Sequence, residues 1–190
     1  MAIDSKSGRN KTKFPFFPLD ERTGGRFCSF TPVTYTLAHF LGLNLPAISQ
    51  GARWAFKKSS LAFGYAQALA QEIKQGRNIA GIFLYGDIFD GIGDLLMQLL
   101  AESLGKNGQG VTPVKFIGTR DQHSLLQLYL DGPKDKTVTL LSFKRTPKGA
   151  LERTFWAAEE GVLKSLSERR VPYWRLRLIK NDEFTYGALI

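Results

Sequence analysis

From residue 79 onward the sequence alternates short apolar runs with longer segments of helical periodicity. "IAGIFLYG", "VKFIGT", "KTVTLLSFK" and "PYWRLRLI" are apolar stretches between turn signals, and each reads as a strand. Between them, "DLLMQLLAESLGK", "QHSLLQLYL" and "RTFWAAEEGVLKSLSER" read as helices, and "EFTYGALI" begins another. Strands joined through helices run parallel by right-handed crossovers, and a parallel sheet is covered on both faces. The expected fold class is α/β: a three-layer α/β/α sandwich around a mostly parallel sheet. Ligands of such sheets sit beyond the carboxyl ends of the strands. Three segments fall on that edge: "YGDIFDGIGD", "GTRDQH" and "FKRTPKG".

Upstream, "TPVTYTLAHFLGL" predicts a helix with Thr31 as N-cap, Pro32 at its first position and Gly42 at its end. "LPAISQGARWAF" and "SLAFGYAQALAQEIKQG" predict two more, the second ending on Gly76. Residues 1–18 are expected to form a basic, flexible tail, and 19–190 a single unit. The N-terminus has no apolar core of the secretory kind, and no apolar run is long enough to span a bilayer. Cys28 is the single cysteine, so no intrachain disulfide and no cysteine zinc cage can form; a reducing cytoplasm is expected. A formal net charge of +9 directs attention to anionic partners. The basic residues are scattered, however, without a nucleic-acid motif, and nucleic acid is not the expected partner.

The helix "DLLMQLLAESLGK" is awkwardly patterned. At about 100° per residue, Asp94, Gln98 and Glu102 fall within roughly 80°, and apolar residues fill the other 240° or so. A surface helix needs an apolar stripe of little over about 100°, so burial on most sides is expected. The polar stripe then faces either solvent or a cleft. In a cleft, apolar walls would raise the pKa of Glu102 toward that of a general base, with Gln98 one turn away.

Two further stretches give that stripe a context. "TGGRFCSFTPV", "AESLGKNGQGVTPV" and "DQHSLLQLYLDGP" together resemble three motifs of the glucose-6-phosphate isomerase family, in that family's order. The resemblance runs from about Leu19 to the last residue and covers the family's second sugar-isomerase (SIS) subdomain, a doubly wound fold. It implies an enzyme interconverting glucose 6-phosphate and fructose 6-phosphate without metal or other cofactor, as a homodimer sharing its site across the interface. By this resemblance Glu102 is the base that moves a proton between C2 and C1 through a cis-enediol. Gln98, Gly25 and Gln122 contact substrate, Arg26 steadies the enediolate, and His123, supplied across the interface, assists ring opening.

The pattern also departs from the family's. The family has an upstream SIS subdomain carrying a Ser/Thr-rich phosphate loop, and it continues past the "GALI"-like segment to a catalytic lysine. "SKSGRNKT" is read here as tail rather than as that loop, and the unit is expected to be incomplete at its C-terminus. A degenerate module that binds sugar phosphates without catalysis is the competing expectation. Asp87, Asp90 and Asp94 are read as turn and cap residues rather than metal ligands. Trp54, Trp156 and Trp174 are read as core or interface aromatics, and His39 as packed or half-buried.

Overall fold

A computed structural model describes residues 2–4, 16–144 and 147–190. They form two compact units: Ser60–Lys180, and the residues up to Ser59 together with Asn181–Ile190.

The larger unit contains the alternating segment. It begins with helix α3 (Ser60–Lys74), followed by strand β3 (Ile79–Tyr85), helix α4 (Asp90–Leu104) and strand β4 (Thr112–Ile117). Helix α5 (Leu126–Asp131), strand β5 (Lys136–Phe143), helix α6 (Ala150–Glu168) and strand β6 (Tyr173–Leu178) complete it. The four strands pair in the order β4-β3-β5-β6, all parallel, with Phe83 opposite both Phe116 and Leu140. The three-layer α/β/α sandwich is thus observed. Right-handed connections assign the layers: β3 to β4 moves one way along the sheet, while β4 to β5 and β5 to β6 move the other. Helix α4 therefore lies on the face opposite α5 and α6.

Side chains confirm both layers. Phe83, Tyr85, Phe116, Val138 and Leu140 pack against Tyr129 of α5 and Val162, Leu163 and Leu166 of α6. The rings of Phe83 and Phe116 stack at 5.1 Å, and Tyr129 meets Phe116 edge-on at 4.7 Å. Gly81 makes room for this cluster, because a Cβ there would come within 2.8 Å of the Tyr129 ring. On the other face Tyr65 of α3 hydrogen-bonds Thr139 at 2.8 Å and meets Trp174 edge-on. Gly93 brings α4 down onto Leu84 and Lys115, where a Cβ would approach each within 2.6 Å.

The smaller unit begins with two short strands, β1 (Ala2–Asp4) and β2 (Phe16–Pro18), paired in parallel. The rest of the expected tail, 5–15 with its "SKSGRNKT", lies outside the described residues. Helix α1 (Pro32–Phe40) follows, with Thr31 at its N-cap and Gly42 in the left-handed region, as the sequence predicts. His39 corrects an expectation: it is exposed, because the core side of α1 is marked by buried Ala38 and His39 points away from it. Helix α2 (Leu45–Lys57) packs against α7 (Glu183–Leu189) at backbone distance. A Cβ on Gly51 would lie 2.0 Å from the Phe184 carbonyl oxygen, and one on Gly187 would lie 2.0 Å from that of Ile48. Trp54 packs beside Phe184, with ring centroids 6.2 Å apart.

Candidate active site

Helix α4 carries the polar stripe. Gln98 and Glu102 are both exposed, and the Gln98 side-chain amide donates to the Glu102 carboxylate at 3.0 Å. The third member is employed otherwise. Lys115, whose stem passes beneath Gly93, donates to Asp90 at 2.7 Å and to Asp94 at 2.5 Å. These two carboxylates hold the Lys115 ammonium above the ordinary lysine range. Lys115 is the residue that sequence reasoning missed here; a lysine inside an apolar strand was the available signal.

The expected burial of α4 on most sides is corrected. Only Gly93 is buried, the leucines from Leu95 to Leu100 are half-buried, and Leu104 is 41% exposed. The cause is strand order. Helix α4 packs on β4 and β3, and β4 is the edge strand of its sheet, so one flank of the helix has no neighbouring strand beneath it.

Beyond the carboxyl end of β4 a tight loop leads to a turn of 3₁₀ helix, Asp121–His123. Buried Asp121 locks this loop, accepting from the Ile117 N–H at 2.7 Å and from the Arg120 guanidinium at 2.8 Å through two nitrogens. The Arg120 hydrogen bonds, helped by Ile117, hold its carboxyl below the ordinary aspartate range against the opposing effect of burial. With Asp121 anchored, Gln122 turns inward and His123 outward. Gln122 donates from Nε2 to the Tyr85 hydroxyl at 2.7 Å and to the Ala158 carbonyl at 3.2 Å, whereas His123 is exposed. Burial, with the Glu159 charge adding to it, pushes the Tyr85 phenol well above its usual range, so the phenol stays protonated and bridges β3 to α6.

Further across the same edge, buried Glu159 accepts from Ser142 at 2.8 Å and from Arg175 at 2.5 Å. Phe89 and Phe143 stack at 4.7 Å and close the sheet edge between β3 and β5, the switch point of the strand order. Both rings are buried at the edge where a doubly wound sheet ordinarily takes its ligand.

The arrangement does not bring all the expected residues together. Helix α4 starts at the carboxyl edge and runs back toward the amino edge, so Glu102 lies twelve residues, roughly 18 Å, beyond Asp90. His123 stays at the carboxyl edge. Arg26 belongs to the smaller unit, in a 3₁₀ turn over Gly25–Phe30, with its guanidinium 5.2 Å from the Phe27 ring centroid. The backbone at Gly25 is not left-handed and a Cβ there would meet nothing within 4 Å, so its lack of a side chain leaves open surface beside Arg26.

The chain is 38% identical over 149 residues to the glucose-6-phosphate isomerase of Methanocaldococcus jannaschii, a match covering 74% of this chain and 37% of that protein. It is likewise 38% identical over 148 residues to that of Campylobacter jejuni, covering 71% of this chain and 35% of that one. It superposes on a hypothetical protein of Thermus thermophilus with a TM-score of 0.81 and 26% identity, over 92% of this chain and 48% of that one. A glucose-6-phosphate isomerase of Chlamydia trachomatis shares the fold, with a TM-score of 0.65 at 17% identity, over 92% of this chain and 41% of that one. The chain spans little more than a third of the length of the two curated relatives. No family model matches it.

Proposed function

We propose, from the premise that the chain belongs to the glucose-6-phosphate isomerase family over the segment it shares with those proteins, that it acts in the interconversion of glucose 6-phosphate and fructose 6-phosphate. The observation that carries this reading is the hydrogen-bonded Gln98–Glu102 pair on the outward stripe of α4, within that related segment. In this reading Glu102 removes the proton from C2 of the opened sugar and returns it to C1, through a cis-enediol. Gln98 orients the carboxylate and meets the sugar. Arg26 offers its guanidinium to the developing oxyanion, and the open surface at Gly25 lets the substrate come close. Gln122 contributes its side-chain oxygen, since its nitrogen is committed to Tyr85 and Ala158. Proton transfer between adjacent carbons proceeds here on side chains alone, without metal or other cofactor.

The separation of Glu102 from His123 supports a homodimer in this reading. A histidine at the carboxyl edge of one copy completes the site around the α4 stripe of the other, where it assists ring opening. Cytoplasmic placement belongs to the same proposal. Among the described residues, no helix is long and apolar enough to cross a membrane.

The test is solvent-deuterium exchange at C1 of fructose 6-phosphate and its conversion to the aldose, with this chain. Glu102→Gln is expected to lower kcat by about 10²–10⁴-fold with little change in KM, the usual contribution of a positioned base. Undiminished turnover in that variant would sink the assignment. A second reading, a sugar-phosphate-binding module without turnover, draws on the outward exposure of Gln98, Glu102 and His123. Binding of fructose 6-phosphate by the wild-type chain with no exchange at C1 selects that reading.

A further inference from the structure

On the α5 and α6 side of the sheet, at its amino edge, lies a cavity of about 280 Å³. Arg77, Lys134, Lys136, Arg169 and Arg170 line it, together with Tyr129. Three of the five cations are matched: Arg77 by Glu72 at 2.5 Å, Arg169 by Asp131 at 2.7 Å, and Lys136 by Asp135. The other two are not. Lys134 donates to the Leu130 carbonyl at 2.6 Å, and the Arg170 side chain makes no hydrogen bond or ion pair among the described residues. The lining carries two positive charges in excess, on two flexible side chains.

Basic residues just past helix ends complement the carbonyl end of the helix dipole. That accounts for Arg77 after α3 and for Arg169 and Arg170 after α6. It leaves Tyr129 unexplained. Tyr129 is 3% exposed, and its hydroxyl has no hydrogen-bond partner. A buried hydroxyl without a partner is destabilising, and this one belongs to a residue that lines the cationic cavity. Lys136 Nζ stands 5.9 Å from the centroid of the same ring.

We propose that this cavity is a binding site for a phosphate dianion, free or as the head of a small phosphate monoester. The Tyr129 hydroxyl donates to one phosphate oxygen, the Arg170 guanidinium takes two others in a fork, and Lys134 neutralises the remaining charge. The sheet separates this site from the Gln98–Glu102 stripe, and the inference stands whether or not the isomerase reading does. A cavity of this size admits a single phosphate group rather than a duplex backbone.

Titration of the ¹⁵N-labelled chain with inorganic phosphate, and separately with methyl phosphate, tests it. Saturable shifts are expected at the Arg170 and Arg169 side-chain signals, with affinity at least fivefold weaker in Arg170→Ala and in Tyr129→Phe. Tyr129→Phe removes one oxygen and keeps the ring, so its fold is preserved. If the hydroxyl is only a packing fault, that variant melts higher and binds phosphate as the wild type does, and the proposal fails. It also fails if phosphate shifts no signal at Arg170, or if a duplex oligonucleotide shifts the same signals at lower concentration than phosphate. Tighter binding of methyl phosphate than of inorganic phosphate assigns the site to a monoester; the reverse assigns it to the free ion.

Discussion

Asp121 shows how much one side chain decides at the carboxyl edge. It was legible as a polar residue in "GTRDQH", yet nothing local distinguished it from a solvated turn aspartate. Its burial and its three hydrogen bonds arise because the loop folds back over β4. Asp121→Asn is expected to cost about 1–3 kcal/mol at neutral pH, the scale of lost charge-assisted hydrogen bonds at a buried site. The sign with pH follows from the depressed pKa. The stabilisation is complete above the unfolded aspartate value of about 3.9 and is lost as pH falls through the lower folded value. Urea midpoints of wild type and variant should therefore converge below about pH 4; a gap that stays constant down to pH 2 contradicts this role. Gln122 and His123 illustrate the same limit: the two neighbours in sequence point to opposite environments because Asp121 is pinned.

At the scale of elements, helix limits were legible because caps and periodicity are local. Thr31, Pro32 and Gly42 bound α1, and Asn44 caps α2 by accepting from Ala47 N–H at 3.1 Å. Partnership between elements was not legible. Gly51 and Gly187 stand 136 positions apart, and each admits the backbone of the other's helix. Gly51→Ala or Gly187→Ala is expected to force α2 and α7 apart at a cost of about 1–3 kcal/mol or more, as overpacking does. Denaturation midpoints and proteolytic release of the C-terminal helix measure this. An alanine variant as stable as the wild type, with α7 equally protected, would show that the helices pack otherwise. The over-greasy pattern of α4 misled for a related reason: periodicity reports how much surface a helix is able to bury, and strand order settles how much is covered.

Across the whole molecule, the central strands should be the last to open. Phe83, Leu84, Leu140 and Leu141 are buried on β3 and β5, which have neighbours on both sides and helices on both faces. Their amides are expected to exchange at least about tenfold more slowly than those of edge strand β4 and the last turn of α4. Native-state hydrogen exchange measures this directly, and uniform protection across the sheet would contradict it. The sequence by itself determined the type and order of the helices and of the four strands of the larger sheet, and the parallel sense of that sheet. It also carried the motifs that align this chain with the isomerases, because motifs and periodicity are local patterns. Tertiary structure alone decided that β4 is an edge, on which face each connecting helix lies, that Phe89 and Phe143 stack at the switch point, and that Glu102 and His123 stand at opposite edges of one sheet. It likewise gathered five cations and the buried Tyr129 around one cavity. These are outcomes of non-local pairing, in which residues far apart along the chain compete for the same neighbours, and no window of sequence contains that competition.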